Sequence, residues 1–375
     1  MQTIWKFISA PYRHMLALAA IVMLVSLGGC GAFQTLEASR DIYNDDAAAG
    51  QYGKNDVTIP KPSKDWFLVD MSNRYGLMAL FALTAYRYDL SAHDRDAYSC
   101  AYLNPDFSGD KDFGMPRDAV LDSHWERWAP ASTERGDAIP CFNEGGLFYE
   151  TYVRLDKSNQ IVEAVIAYRG TENRSGQWAI DWRTNLSNAF GFEPEEYYLA
   201  RLRLKKLTDQ LRKNAVSNAP IYAVGHSLGG GLAQQAGYLS KDITEVFTFN
   251  TTPVTNWTNL RLLGLVEQGY PIIHRVYNGG EGLAGIRSIS TAATATRYGR
   301  HDVEIQFGPK SVVAGHLMGV IACNFAEILH ETKAQNADHG YTVSYIDQYV
   351  RKGAASPSRS VCDEENKGDQ RSVAK

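Results

Sequence analysis

The stretch IYAVGHSLGGGLAQQ, residues 221–235, constrains this chain more than any other. A short apolar run ends at Gly225; Ser227 and Gly229 follow at alternate positions, and small residues then continue at helical spacing. A G-x-S-x-G pattern between a buried strand and a helix is the setting of a nucleophile elbow, a turn so tight that the serine takes strained backbone geometry. Glycine two residues before and after leaves room for the helix to pack against the strand. The turn lifts the hydroxyl out at the carboxyl edge of a sheet, where a helix N-terminus offers N–H groups and a positive dipole end. The bland alternative is a glycine-rich bend, and the combination of strand, motif and small-residue helix weighs against it.

The elbow requires a sheet around it, and the flanking sequence supplies candidates. GLFYETYVRLD and IVEAVIAYRG form consecutive strands, and EPEEYYLARLRLKKLTDQLRKN is an amphipathic helix with Ala200, Leu204, Leu207 and Leu211 on one face. APIYAVG, EVFTFNT, PIIHRVYNG and DVEIQFG are further strands, and a closing helix covers about residues 314–332. Strands alternating with helices imply an α/β fold with a mostly parallel central sheet and helices on both faces. Before this region, residues 65–145 comprise one apolar core helix (Leu77, Leu80, Phe81 and Tyr86 at helical spacing) and a long excursion with little regular structure, rich in Asp, Gly, Pro and Ser. The folded domain thus spans residues 65–352, and the polar stretch 353–375 is expected to be disordered.

The N-terminal residues belong to targeting. Lys6, Arg13 and His14 precede the uncharged run MLALAAIVMLVSL and then LGGC, the layout of an export signal over residues 1–29. Thirteen apolar residues span about 20 Å as a helix, short of a bilayer's roughly 30 Å hydrocarbon core. LGGC resembles the bacterial lipobox, which implies Cys30 as a lipidated first residue and residues 30–64 as a flexible tether to the membrane surface. Gly31 in place of aspartate implies the outer membrane, within the cell envelope. Export also implies an oxidising compartment. Cys100, Cys141, Cys323 and Cys362 then allow three pairings; Cys100 with Cys141, both in the loop-rich region, is the favoured one, whereas Cys323, inside LMGVIACNFAEIL, has the setting of a buried thiol. With 38 basic and 42 acidic residues there is no global field for nucleic acid, and no metal-ligand spacing of Cys or His appears.

VGHSLGGGLA is similar to the serine elbow of the lipase class 3 family, the fungal-lipase-like branch of the α/β-hydrolases. AVIAYRGTE, residues 164–172, is similar to that family's strand ending in F-R-G-S/T. The resemblance covers roughly residues 145–330 and implies an α/β-hydrolase fold. It assigns one oxyanion-hole N–H to Thr171; the other belongs to Leu228, directly after the nucleophile. DWRTNL, residues 181–186, resembles the family's segment at the lid or its hinge; Asp181 and Trp182 are expected to be structural, and Trp178 suits either substrate or core.

A serine needs a base, and in this fold the chain order is serine, acid, histidine. Of His274, His301, His316, His330 and His339, the choice is His316, which follows the last strand, opens the closing helix, and sits in an HL pair similar to the family's terminal catalytic histidine. His301 resembles the family's structural histidine, and His330 and His339 lie beyond a full helix. The acid departs from the family pattern: its aspartate follows an R-V-x-N strand, and HRVYNGGEGLAGI puts Glu281 there, with Asp302 as the runner-up. Glutamate can orient and stabilise an imidazolium equally well.

Together these imply a lipid-anchored serine hydrolase of lipid esters, of triacylglycerol lipase or phospholipase type, with no cofactor or metal. The alternatives are a carboxylesterase or thioesterase on soluble substrates, and a silent envelope lipoprotein that uses the fold for binding.

Overall fold

A computed structural model of the chain describes residues 63–87, 100, 125–128, 141–170, 193–268, 271–278, 283, 300–305, 307 and 314–332. The signal, Cys30, residues 31–62 of the expected tether, Thr171, Trp178, Asp181, Trp182, Glu281, His339 and the polar tail lie outside the described residues; Ser63 and Lys64, expected in the tether, instead open the first helix.

In chain order the elements are α1 (Ser63–Thr84), β1 (Trp125–Arg127), β2 (Cys141–Glu144), β3 (Leu147–Leu155), β4 (Ile161–Tyr168), α2 (Glu195–Asn214), β5 (Ile221–His226), α3 (Leu228–Leu239), β6 (Ile243–Phe249), α4 (Trp257–Leu262), β7 (Ile272–Asn278), β8 (Arg300–Ile305), a 3₁₀ turn (Ala314–His316) and α5 (Met318–Thr332). The strands form one sheet in the order β1-β3-β4-β5-β6-β7-β8, with β2 also paired to β3. The fold is α/β.

The sheet is mixed, which corrects the expectation of a mostly parallel one. From β4 to β8 every pairing is parallel; β1, β2 and β4 all pair with β3 antiparallel. The reason is loop length. Only Asp156–Gln160 separates β3 from β4, far too few residues for a crossover, and the Asp156 carboxylate closes this turn by accepting the N–H groups of Ser158 and Gln160 at 2.8 and 2.9 Å. Gly145 and Gly146, both at positive φ (59° and 79°), make the two-residue turn between β2 and β3, the geometry that matches strand twist. Strands β1 and β2 also correct the expectation of little regular structure before residue 146. The short helix α4 was not expected either.

Strand alternation divides the core between two faces. Val165 and Ala167 of β4 and Val224 of β5 join the α1 and α5 side, whereas Ala164, Ile166 and Ala223 join the α2 and α3 side. Parallel strands laid down sequentially in one direction send every right-handed crossover to the same face. That face receives α2, α3 and α4, so the other must be covered by helices from the chain's two ends, α1 and α5.

Helix α1 is anchored by polar as well as apolar contacts. Tyr75 and Tyr86 stand eleven residues apart, about three helical turns, and each meets a buried strand histidine: Tyr75 Oη lies 3.2 Å from His274 Nδ1, and Tyr86 Oη 2.6 Å from His226 Nδ1. Buried Arg87, next in sequence, lies 3.9 Å from Glu150 of β3, which also accepts hydrogen bonds from Arg127 and Tyr152.

Cys100 and Cys141 form the expected disulfide, with Cα atoms 5.5 Å apart and a sequence separation of 41. On chain-entropy grounds a loop of that size contributes about 4 kcal/mol. Cys323 is also disulfide-bonded, which corrects its reading as a buried thiol: an apolar helix suits a cystine as well as a free sulfhydryl. Among the described residues, no helix is long and apolar enough to cross a membrane.

Candidate active site

Ser227 follows the last residue of β5 and precedes the first of α3, with φ 55° and ψ −123°. A non-glycine residue in such a region costs about 1–3 kcal/mol and persists only where its surroundings fix it. They do so here through both backbone groups. The Ser227 N–H donates to Phe249 O at 3.0 Å, and its carbonyl accepts from the N–H groups of Gly230 (3.0 Å), Gly231 (3.3 Å) and Thr252 (3.1 Å) and from the Thr252 hydroxyl (3.3 Å). The flanking glycines are required by close approach. A Cβ on Gly225 would stand 2.2 Å from the carbonyl oxygen of Gly229, and one on Gly229 would stand 2.4 Å from that of Tyr168.

The parallel register fixes what stands beside the elbow. Tyr168, Gly225, Thr248, Arg275 and Asp302 form one cross-strand row, so Gly170, Ser227 and Asn250 lie level with one another two residues further on. A Cβ at Gly170 would lie 3.2 Å from Ser227 Cβ, so the end of β4 lies directly beside Ser227. Leu228 opens α3, and N–H groups of a first helical turn have no acceptor inside the helix.

The imidazole of His316 reaches this rim from the far end of the sequence. Its Nε2 lies 3.0 Å from Ser227 Oγ, within hydrogen-bonding distance. Ser227 is buried and His316 half-buried. The 3₁₀ turn that carries His316 is held at its backbone: the His316 carbonyl accepts from His226 Nε2–H at 2.7 Å and from Asn250 Nδ2–H at 3.2 Å, and Asn250 also donates to Gly315 O at 3.0 Å. Asn250 accepts the Asn278 N–H at 2.9 Å through Oδ1, which ties the turn to the end of β7.

The two candidate acids stand differently. Glu281 lies outside the described residues. Asp302 has its backbone in β8, three strands from β5, about 14 Å at ordinary strand spacing, and its row stops two residues short of Ser227. Of the other histidines, His274 is buried, hydrogen-bonded to Tyr75 and 2.8 Å from Glu245, and stacks on Phe247 at 4.7 Å. It belongs to the core. Among the described residues no group of three or more His, Cys, Asp or Glu could hold a metal ion.

Three residues that support the site were not anticipated: Tyr86, His226 and Asn250. His226 stands inside the G-x-S-x-G motif, the only one of the three with a local signal; the other two are brought in by tertiary structure. Burial, and then the neighbouring His316, hold the His226 imidazole well below its usual 6.5, against a smaller opposing effect of its hydrogen bond to the His316 backbone. The folded protein therefore keeps it neutral where an unfolded chain binds a proton. Stability is lost as the pH falls below about 6.5 and goes on falling to the depressed folded value, at up to about 1.4 kcal/mol per pH unit. Urea titrations should show the wild type losing about 1 kcal/mol more than His226→Gln between roughly pH 6.5 and 5.5. Parallel losses in the two proteins would contradict this account.

Comparison with known proteins gives a match over part of the chain. Residues 141–261 match the family model of the Tle-like phospholipase domain. The matched segment runs from β2 into α4 and contains Ser227 but neither Tyr86 nor His316. No curated protein matches the chain. Among solved structures, the extracellular lipase LipA from Serratia marcescens is similar at 14% identity and a TM-score of 0.33, over 69% of this chain and 46% of that one. The chain therefore spans under half of that lipase's length. AbyA5 is similar at 14% identity and a TM-score of 0.29, over 83% of this chain and 99% of that one.

Proposed function

We propose that this chain is a serine hydrolase of lipid esters, of phospholipase type, working at a membrane surface. The observation that carries the reading is the 3.0 Å approach of His316 Nε2 to Ser227 Oγ on a strained, tightly packed turn between β5 and α3. The match of residues 141–261 to a Tle-like phospholipase domain favours phospholipids over triacylglycerols. In this reading the fold is that of the α/β-hydrolases, in the manner of the class 3 lipases.

His316 takes the Ser227 proton as the hydroxyl oxygen attacks the ester carbonyl carbon. The N–H groups of Leu228 and Thr171 hold the resulting oxyanion, and Glu281 orients the imidazole and stabilises its protonated form. Collapse of the tetrahedral intermediate expels the alcohol, which takes the proton from His316. Water then cleaves the acyl-enzyme by the same route and frees the fatty acid. Acyl chains on Cys30 would hold the domain at the outer membrane, with residues 31–62 as the tether; the LGGC run supports this part.

A fluorophosphonate probe and phosphatidylglycerol–phosphatidylethanolamine vesicles test the proposal. The full chain should be labelled, the Ser227→Ala variant should not, and the wild type should release fatty acid from the vesicles. Absence of labelling in the wild type would overturn the serine mechanism in favour of a binding lipoprotein. Labelling together with equal rates on an ester below and above its aggregation point would replace the lipid substrate with a soluble one.

A further inference from the structure

We infer that Tyr86 and His226 form a positioning pair for the His316 imidazole, so that helix α1 completes the working geometry of the site from outside the phospholipase-like segment. This rests on the hydrolase reading above and deepens it.

The direction of the hydrogen bonds is fixed by chemistry. The carbonyl oxygen of His316 can only accept, so His226 Nε2, 2.7 Å away, carries the hydrogen. A neutral imidazole with its proton on Nε2 has a lone pair on Nδ1, and Tyr86 Oη, 2.6 Å away, donates to it. The chain therefore runs one way, from the Tyr86 hydroxyl through the imidazole to the His316 backbone, and each bond polarises the next. Both partners are buried.

Tyr86 is itself held in place. It lies just past the end of α1, with its N–H on Leu83 O at 3.1 Å, and the next residue, Arg87, is fully buried against Glu150. Its hydroxyl also sits where a Cβ on Gly170 would meet it at 2.6 Å, and so occupies the space between the end of β4 and His226. The target of the pair is a three-residue turn in which His316 faces the serine. Displacing a reacting group by about 1 Å can cost 10²-fold in rate, so a donor that fixes the backbone of this residue bears on turnover more than on substrate binding. A second reason concerns charge: the two imidazoles stand 5.0 Å apart between ring centroids, and a neutral His226 leaves His316 free to become an imidazolium during attack. Asn250 shares the same carbonyl at 3.2 Å, so removal of His226 alone weakens the support without abolishing it.

Three variants of the full chain test the pair on a short-chain p-nitrophenyl ester, with fluorophosphonate inactivation rates alongside. His226→Phe, which keeps the ring and loses the donor, is expected to lower kcat about 10- to 100-fold with KM within about twofold of wild type. His226→Gln, whose amide nitrogen can stand where Nε2 stood, should recover to within about threefold of wild type. Tyr86→Phe, which deletes one hydroxyl, should lower kcat about 3- to 10-fold. Equal kcat in all four proteins overturns the pair, as does an equal fall in both His226 variants, which marks a packing role. If His226→Phe does not fold, Tyr86→Phe decides alone: an unchanged kcat overturns the pair. An inactive, unlabelled wild type is a different result, and it removes the hydrolase reading on which the pair rests.

Discussion

Ser227→Ala is expected to lower ester turnover by roughly 10⁴- to 10⁶-fold while leaving the protein folded. The size follows from the division of labour at the rim. Without the hydroxyl there is no acyl-enzyme, and only oxyanion donors and substrate binding remain to accelerate attack by water, a residue of about 10³- to 10⁴-fold over the uncatalysed reaction. His316→Ala should fall to a similar level, because a serine whose base is gone is as inert as one that is absent. The double variant should be no worse than either single one, since the two groups act as a unit. Folding should survive: alanine keeps Cβ, and the backbone bonds that hold the turn at φ 55° involve the N–H and carbonyl of residue 227, not its side chain. Steady-state turnover of the three variants, with thermal midpoints as a control, measures this. More than about a tenth of wild-type activity in either single variant, or additive losses in the double, would remove Ser227 and His316 from the mechanism.

The parts of this arrangement that were legible in the sequence are those whose physics is local. The elbow is announced by its glycines because the steric demand on Gly225, set by Gly229 and Gly230, lies within six residues, although that on Gly229 comes from the end of β4; β4 to β7 are announced by short apolar runs. Loop length carried the antiparallel direction of β3 and β4 in plain view: five residues cannot cross over. Gly145-Gly146 likewise marked the turn after β2. What defeated the reading there was β1, whose three residues are too few to show an alternation, and the loop-like composition around it. His316 is singled out by its place after the last strand and by a family resemblance, but its 3.0 Å approach to Ser227 depends on a turn held from α1, β5 and the end of β6. Tyr86 and Asn250 carry no local mark of that duty; each is an ordinary core or strand-end residue until the sheet brings residues 86, 226, 250 and 316 to one rim.

Gly225→Ala tests the opposite property of the same turn, its tightness, and is expected to destabilise the protein by more than about 4 kcal/mol or to prevent folding. The added methyl would meet the carbonyl oxygen and carbon of Gly229 at 2.2 and 2.3 Å and the nitrogen of Gly230 at 2.8 Å. All three are backbone atoms, so no side-chain rotation relieves the clash. Relief would require α3 to move away from β5, and the helix is buried along nearly its whole length. Gly229→Ala faces the same obstacle from the other side, at Tyr168 O, Arg169 C and Gly170 N, and would force apart the helix and the end of β4. Gly264→Ala separates sterics from backbone strain. Its φ is +65° but nothing stands within 4 Å of the new Cβ, so it should cost only about 1–2 kcal/mol. Chemical denaturation of the three alanine variants reads the difference. A Gly225→Ala protein within about 1 kcal/mol of wild type would mean that helix and strand do not meet so closely, and the strained turn that presents Ser227 to His316 would lose its structural basis.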